Sequence, residues 1–402
     1  MRALNSAVTG IRAHQTRMDV IGNNIANVNT VGFKSSRVTF QDVFSQTLAA
    51  GSATTNPKQV GLGVGVASID LDMSAGSPNL TGRALDLAIE GEGMFIMRQG
   101  DGSVVYTRVG NFDWSADGVL VNPGTGARVQ GWAVDENGEV VTGVLTDIVL
   151  PKGSTAPPQV TTRASLSGYL DPTAAAGSEV STTLIIYDSL GRPHSVTLTF
   201  VRDANDPTEW DVTAFDGQGN ELDTTGLSFD ATGAVDPDTW EITFTTSDTD
   251  EEITVTIDLS GIRLGYSGTG VSNVMVQSAD GAPMGTLESV TISPDGQVIG
   301  IYSNGARIVH AYIALANFTN PAGLSKVGDT SFAETAASGP VMIGLPNTGG
   351  RGRLVPGNLE ASNVDLSVEF TNMILTQRGF QANARVVSTA DEMLQDLVNL
   401  RR

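Results

Sequence analysis

The chain contains no cysteine among its 402 residues. Disulfides, thiolate catalysis and cysteine-ligated metals are therefore excluded. A cysteine-free composition also suits a chain that passes unfolded from a reducing to an oxidising compartment. Histidine is nearly as scarce. His14, His194 and His310 each lack a second ligand at metal-binding spacing and read as structural residues. Basic residues are few, 23 Lys and Arg against 44 Asp and Glu, giving a net charge of −21 and a pI near 4.4. Such a chain lacks the cationic surface that displaces counterions from nucleic acid, and anionic membranes repel it. No apolar run approaches the roughly 20 residues of a membrane span. The N-terminus MRALNSAVTGIRAHQ has no continuous apolar core, so it does not read as a cleavable secretory signal. Export through a dedicated machine remains open.

Catalytic motifs are missing too. There is no G-x-S-x-G or S-x-x-K arrangement. GLGVGV (Gly61–Val66) is not G-x-G-x-x-G, and no helix pattern follows it to bind a phosphate. FDGQGNELD (Phe215–Asp223) loosely resembles a calcium loop, but its Asp216–Gly217 is an ordinary turn signal. GGRGR (Gly349–Arg353) is one short copy in an acidic chain and reads as a connector. No catalytic constellation, cofactor site or metal site emerges, and an enzyme is the weakest reading.

What the chain does have is apolar content of 40%, charged content of only 17%, and 46 glycines. This predicts a folded, turn-rich and mainly β body, long enough for two or more domains. The two ends differ from the middle. Leu4, Ala7, Ile11, His14, Met18, Ile21, Ile25 and Val28 follow one another at spacings of three and four. Leu366, Phe370, Met373, Gln377, Phe380, Ala384, Val387, Leu394 and Val398 keep the same rhythm, with one skipped step at Asp391. Both read as helices with a narrow seam. Ser362 or Asn363 is the expected cap of the second helix. Asp365 and Glu369 suit its positive end, and Arg401 and Arg402 its negative end. The seams predict either a pair within the chain or contacts between subunits.

Between the helices the pattern is of strands. GMFIM (Gly93–Met97), SVVYTRVG (Ser103–Gly110) and GVLVN (Gly118–Asn122) are separated by turn dipeptides such as Asp101–Gly102 and Asn137–Gly138. PKGSTAPPQ (Pro151–Gln159) reads as a linker. Beyond it, SVTLTFV, EWDVTAF, EITFTTS and EEITVTIDL alternate cleanly in a strongly acidic region that includes DTDEE (Asp248–Glu252). ESVTISPDGQVIGIYSNGARI (Glu288–Ile308) predicts a meander. The economical arrangement nests one β domain in another. Residues 71–148 and 284–360 form an inner β domain, and 149–283 an outer acidic one. Residues 1–30 with 361–402 form a terminal helical domain, and 31–70 connect. Flexible connectors are expected near Pro151–Gln159, Ser278–Pro283 and Asn347–Pro356.

NNIANVNTVGFKSSR (Asn23–Arg37) sets four asparagines at a helix end. Ile25 and Val28 are seam positions with Asn24 and Asn29 beside them. Amides there can fix one register, as a polar residue does in a coiled coil. A frayed helix end explains Asn29 and Gly32, but it explains Asn23 and Asn24 poorly.

The runs LNSAVTGIRAHQTRMDVIGNNIANVNTVGFKSSR and SNVDLSVEFTNMILTQRGFQANARVVSTADEMLQDLVNL resemble the two ends of bacterial flagellar rod and hook proteins. TGRALDLAIEGEGMFIM and SPDGQVIGIYSNG are similar to the β domain that family shares. The long insertion is most similar to the hook branch. The resemblance implies a structural subunit that self-assembles into a curved, flexible helical tube carrying torque from motor and rod to filament. It implies terminal helices lining the tube, with the subunit interface drawn from Leu4, Ile11, Met18, Ile21, Asn24, Ile25, Val28, Asn29, Leu366, Phe370, Met373, Phe380, Val387, Leu394 and Val398. It implies copies of the chain itself, the distal rod protein, the hook cap protein, the hook–filament junction protein and the flagellar export apparatus as partners. It places the chain outside the cell, in the flagellum. A distal-rod-type subunit and, from another class, an acidic β-rich surface protein or adhesin are the alternatives.

Overall fold

The computed structural model describes residues 2–49, 56–135, 139–141, 143–150, 153–230, 232–245 and 252–399. The Asn137–Gly138 turn, Pro151 and Lys152 of the linker, Asp248–Glu251 of the acidic run, and Arg401 and Arg402 lie outside these residues. The fold is mainly β with a helix at each end. The chain divides into two units. A terminal unit comprises Met1–Lys152, Val290–Ile299 and Val309–Arg402. An inserted unit comprises Gly153–Ser289 and Gly300–Ile308.

In the terminal unit, α1 spans Arg2–Ala26 and α2 spans Leu366–Asn399. The cap of α2 is Asp365 rather than Ser362 or Asn363. Its carboxylate accepts the Ser367 and Val368 N–H groups at 2.8 and 3.3 Å. Asp outranks the others here because it brings charge to the positive helix end as well as an acceptor. α1 stops at Ala26, so Val28 and Asn29 lie in the turn beyond it. The GMFIM run is buried on both faces, which is why it reads as continuous apolar sequence. Phe95 and Met97 enter one core cluster, and Met94 and Ile96 enter another. Phe95 meets Phe112 edge to face at 5.0 Å.

The supposed Asn347–Pro356 connector is built into this body. Arg353–Pro356 pairs antiparallel with Leu87–Glu90, placing Leu354 in the core. Arg351 folds back on the Leu345 carbonyl at 3.1 Å. The polar GLGVGV region also forms strands. Ser36–Asp42 pairs with Val64–Leu71, and Ser45–Ala49 with Lys58–Gly61.

The inserted unit stacks two sheets over one core. One sheet runs Glu179–Tyr187, Pro193–Arg202, Glu209–Phe215, Glu221–Phe229 and Val235–Asp236. The other runs Thr239–Thr245, Glu252–Leu264, Arg163–Leu170 and Asn273–Ala279. Strict alternation drives it: Trp210, Val212 and Ala214 point inward, as do Trp240, Ile242 and Phe244. Ser278 and Ala279 belong to an edge strand, and Gln159 bridges to Ala282, so these stretches also carry pairing.

Candidate assembly surfaces

The helices α1 and α2 pack antiparallel along much of α1, with small and polar residues at the closest approaches. A Cβ on Gly10 would stand 2.9 Å from the Asn383 amide, and one on Gly379 would stand 2.6 Å from the His14 ring. Arg17 Nη2 donates to Asn372 Oδ1 at 3.3 Å, and Asn24 Nδ2 to Glu369 Oε1 at 3.2 Å. The adjoining flank of α1 takes the Ser36–Asp42 strand, with Phe40 edge-on to His14 at 5.6 Å. Burial holds the His14 imidazole below its ordinary pKa, with the Arg17 charge adding to the effect.

The residues picked from the sequence therefore fall in different settings. Ile21 and Asn24 are buried, and Leu4, Ile11, Met18, Ile25 and Val28 are half-buried. Asn29 is exposed. On α2, Met373, Phe380 and Val387 are half-buried beside the α1 contact. Leu366, Phe370 and Leu394 are exposed, together with Val368, Ile374, Leu375, Val386 and Met393. The side chain of Val398 lies outside the described set. A further exposed apolar group sits on the hairpins after α1, at Val43, Phe44, Leu48, Val60 and Leu62.

The asparagines have distinct tasks. Asn24 imitates a strand partner: its Oδ1 accepts the Ser36 N–H at 3.0 Å, and its Nδ2 donates to the Ser36 carbonyl at 2.9 Å. Asn27 Nδ2 donates to the Asn23 carbonyl at 2.9 Å and Asn27 Oδ1 receives the Thr30 hydroxyl, closing the end of α1. Asn363 accepts the Ser35 N–H at 2.8 Å and donates to the Asp72 carbonyl at 2.9 Å. These amides anchor backbone that runs past the helix ends, and Asn24 in addition ties α1 to Glu369 of α2.

Sequence reasoning missed the buried charges beneath that junction. Lys34 Nζ lies 2.6 Å from Glu360 Oε1 and 2.6 Å from the Ser74 carbonyl. Arg108 Nη1 meets Glu360 Oε2 at 3.2 Å, and Gly76 N–H donates to Glu360 Oε1 at 2.9 Å. Burial lowers the pKa of Lys34, and the Glu360 carboxylate opposes that shift. The three groups join the exit from α1, the inner β strands and the entry to α2. The only sequence signal was a lone Lys in an apolar–Gly context, which is not a motif.

Elsewhere, Asp216 accepts the Gln218 and Asn220 N–H groups at 2.8 Å each, so the calcium-like stretch is an Asx-type turn. His194 Nε2 lies 3.2 Å from Asp188 Oδ2. Among the described residues, no His, Asp and Glu cluster could hold a metal ion, and no helix is long and apolar enough to cross a membrane.

Comparisons with known proteins follow the same segments. A family model described as flagella basal body rod protein matches residues 4–34. One described as flagellar hook protein FlgE/F/G D1 domain matches residues 88–164, and one described as flagellar basal body rod FlgEFG protein C-terminal matches residues 355–400. The chain is 40% identical to the flagellar hook protein FlgE of Borreliella burgdorferi, over all of both chains. It is 32% identical to the flagellar basal-body rod protein FlgG of Bacillus subtilis, again over all of both. The crystal structure of Helicobacter pylori flagellar hook protein FlgE2 shares the fold, with a TM-score of 0.50 at 16% identity. That likeness covers 70% of this chain and 100% of that one.

Proposed function

This chain belongs to the bacterial flagellar hook protein family, and we infer that it is a structural subunit of the hook. It self-assembles into a curved tube that carries torque between rod and filament. The observation that carries this reading is the exposed apolar face of α2. The contact with α1 uses small and polar residues, which leaves Leu366, Phe370, Ile374, Met393 and Leu394 without cover in the single chain. Apolar surface on that scale favours burial against a neighbour. A head-to-tail contact between unlike surfaces generates an open helical filament rather than a ring.

On this reading the seam residues of α1 and α2 form the subunit interface. Residues 1–30 with 361–402 make the polymerising layer, 31–70 the connection, 71–148 with 284–360 the inner body, and 149–283 the outer one. Bending comes from sliding between outer bodies, since Asn347–Pro356 is not a free hinge. The rod, cap, junction and export proteins are the partners that hook subunits of this kind require. No catalytic role is proposed.

The test is polymer formation by Leu394→Asp and Ile25→Asp chains, with melting of the β body as the control. Loss of polymer with unchanged melting supports the reading, and assembly of both variants overturns it. The rod alternative is separated by immunogold microscopy of hook–basal bodies with antibody against residues 149–283. Label along the curved segment outside the cell supports the hook, and label confined to the straight rod supports the alternative.

A further inference from the structure

The inserted unit carries 21 Asp or Glu against five Arg and no Lys. Copies of so acidic a body repel one another unless their contact avoids carboxylates or sets them against a cation. One face does both. On the four-stranded sheet, Tyr169 lies in register with Arg263 on one side and Asn273 on the other. The next row outward is Gly261, Ser167 and Met275. Tyr169 and Met275 are exposed, as are Tyr266 and Val271 on the adjoining loop.

That loop is firmly held. The buried Asp171 carboxylate accepts the Ser267 N–H at 2.8 Å and the Ser267 hydroxyl, and Ser272 Oγ accepts the Asp171 N–H at 2.8 Å. Aromatic, Met and Arg side chains on a rigid base are the composition of interface cores. The Arg263 charge acts on Asp230, whose Oδ1 is engaged by Thr232 and Ala234. The opposite end of the same face is different. Glu241, Thr243 and Thr245 face outward beside Thr256, Thr254 and Glu252, with Glu241 and Glu252 exposed.

We propose that this sheet face joins copies of the chain head to tail, the Tyr169–Arg263–Met275 end of one copy resting on the Glu241–Glu252 end of the next. The inference rests on the homopolymer reading above and adds the contact made by the inserted unit. Unlike ends of one face make the contact heterologous, so it propagates along a filament. Arg263 meets a carboxylate, and the aromatic and Met side chains lose water.

The absence of native cysteine makes the test direct. Full chains carrying both Met275→Cys and Thr243→Cys are assembled and mildly oxidised. A ladder of cross-linked oligomers beyond dimers is expected, with each single variant remaining uncross-linked. Arg263→Glu in the double variant should reduce the ladder severalfold, and Glu241→Arg added to it should restore it. A polymer that forms normally but yields no ladder overturns the contact and leaves the homopolymer reading standing. Dimers from Met275→Cys alone overturn it too, because they show a like-on-like contact. A parent chain that does not polymerise overturns both.

Discussion

Lys34 Nζ and Glu360 Oε1 stand 2.6 Å apart with both side chains closed to solvent, although 326 positions separate them in sequence. Arg108 completes a buried group of two cations and one carboxylate. Such a group adds little net stability over well-packed apolar residues, but breaking it exposes the desolvation cost of whatever charge remains. It also makes the ordering of the α1 exit depend on the segment that enters α2.

Removing the carboxylate should therefore cost more than removing the lysine. Glu360→Leu leaves Lys34 and Arg108 buried without their counter-charge, and about 3–5 kcal/mol of unfolding free energy should be lost. Lys34→Met leaves Glu360 its Arg108 and Gly76 N–H partners and should cost clearly less. Urea denaturation of the full chain, followed by signals from the terminal unit, measures both. Equal costs would mean that charge balance is not what holds the junction.

Asn24 and Asn29 should separate in the same assay. Asn24→Ala removes both bonds to the Ser36 backbone and leaves those groups to find water, at about 1–3 kcal/mol. Faster amide exchange at Ser36 should accompany the loss. Asn29 is exposed, and Asn29→Ala should stay within about 0.5 kcal/mol.

The contrast shows what the sequence could and could not convey. The helices were legible because apolar residues recur at helical spacing, and the inserted unit because its strands alternate strictly. The seam count still landed one position away from much of the true α1–α2 contact. That contact includes His14, which the seam does contain, but its other members Gly10, Gly379 and Asn383 are residues an apolar template passes over. Asn24 stood out as anomalous, but its partner at Ser36 is a backbone group with no signature in sequence. The Lys34, Arg108 and Glu360 group was illegible for a simpler reason: only the folded chain brings those positions together.

Glycine inside a helix costs about 1 kcal/mol against alanine unless something requires it. At Gly379 the requirement is the His14 ring, 2.6 Å from where a Cβ would stand. Gly379→Ala should thus push the helices apart and lower the melting temperature despite its better propensity. Gly22 has nothing within 4 Å of its Cβ position, so Gly22→Ala should instead stabilise α1 by up to about 1 kcal/mol. Thermal melting monitored by helical circular dichroism distinguishes them. A gain at both positions would show that the helix pair tolerates wider spacing.

Acid should weaken the inserted unit through Asp188. Burial alone would push this carboxyl up. The Arg192 N–H, the Arg192 guanidinium at 2.7 Å and His194 outweigh burial and hold its pKa at about 2, against an ordinary 3.8. The unfolded chain then binds more protons than the folded one between those two values. Stability present above pH 3.8 is lost as the pH falls towards 2. Asp171 and Asp230, also held low by hydrogen bonds from neighbouring side chains and backbone, act with the same sign. Asp188→Asn should be less stable than the parent near neutrality, because Arg192 loses the carboxylate charge beside it. Its deficit should shrink as acid is added, because the parent loses the same interaction by protonation. Denaturation midpoints of parent and variant measured across that interval test this. A deficit that stays constant down to pH 2 would assign the effect of the substitution to packing rather than to charge.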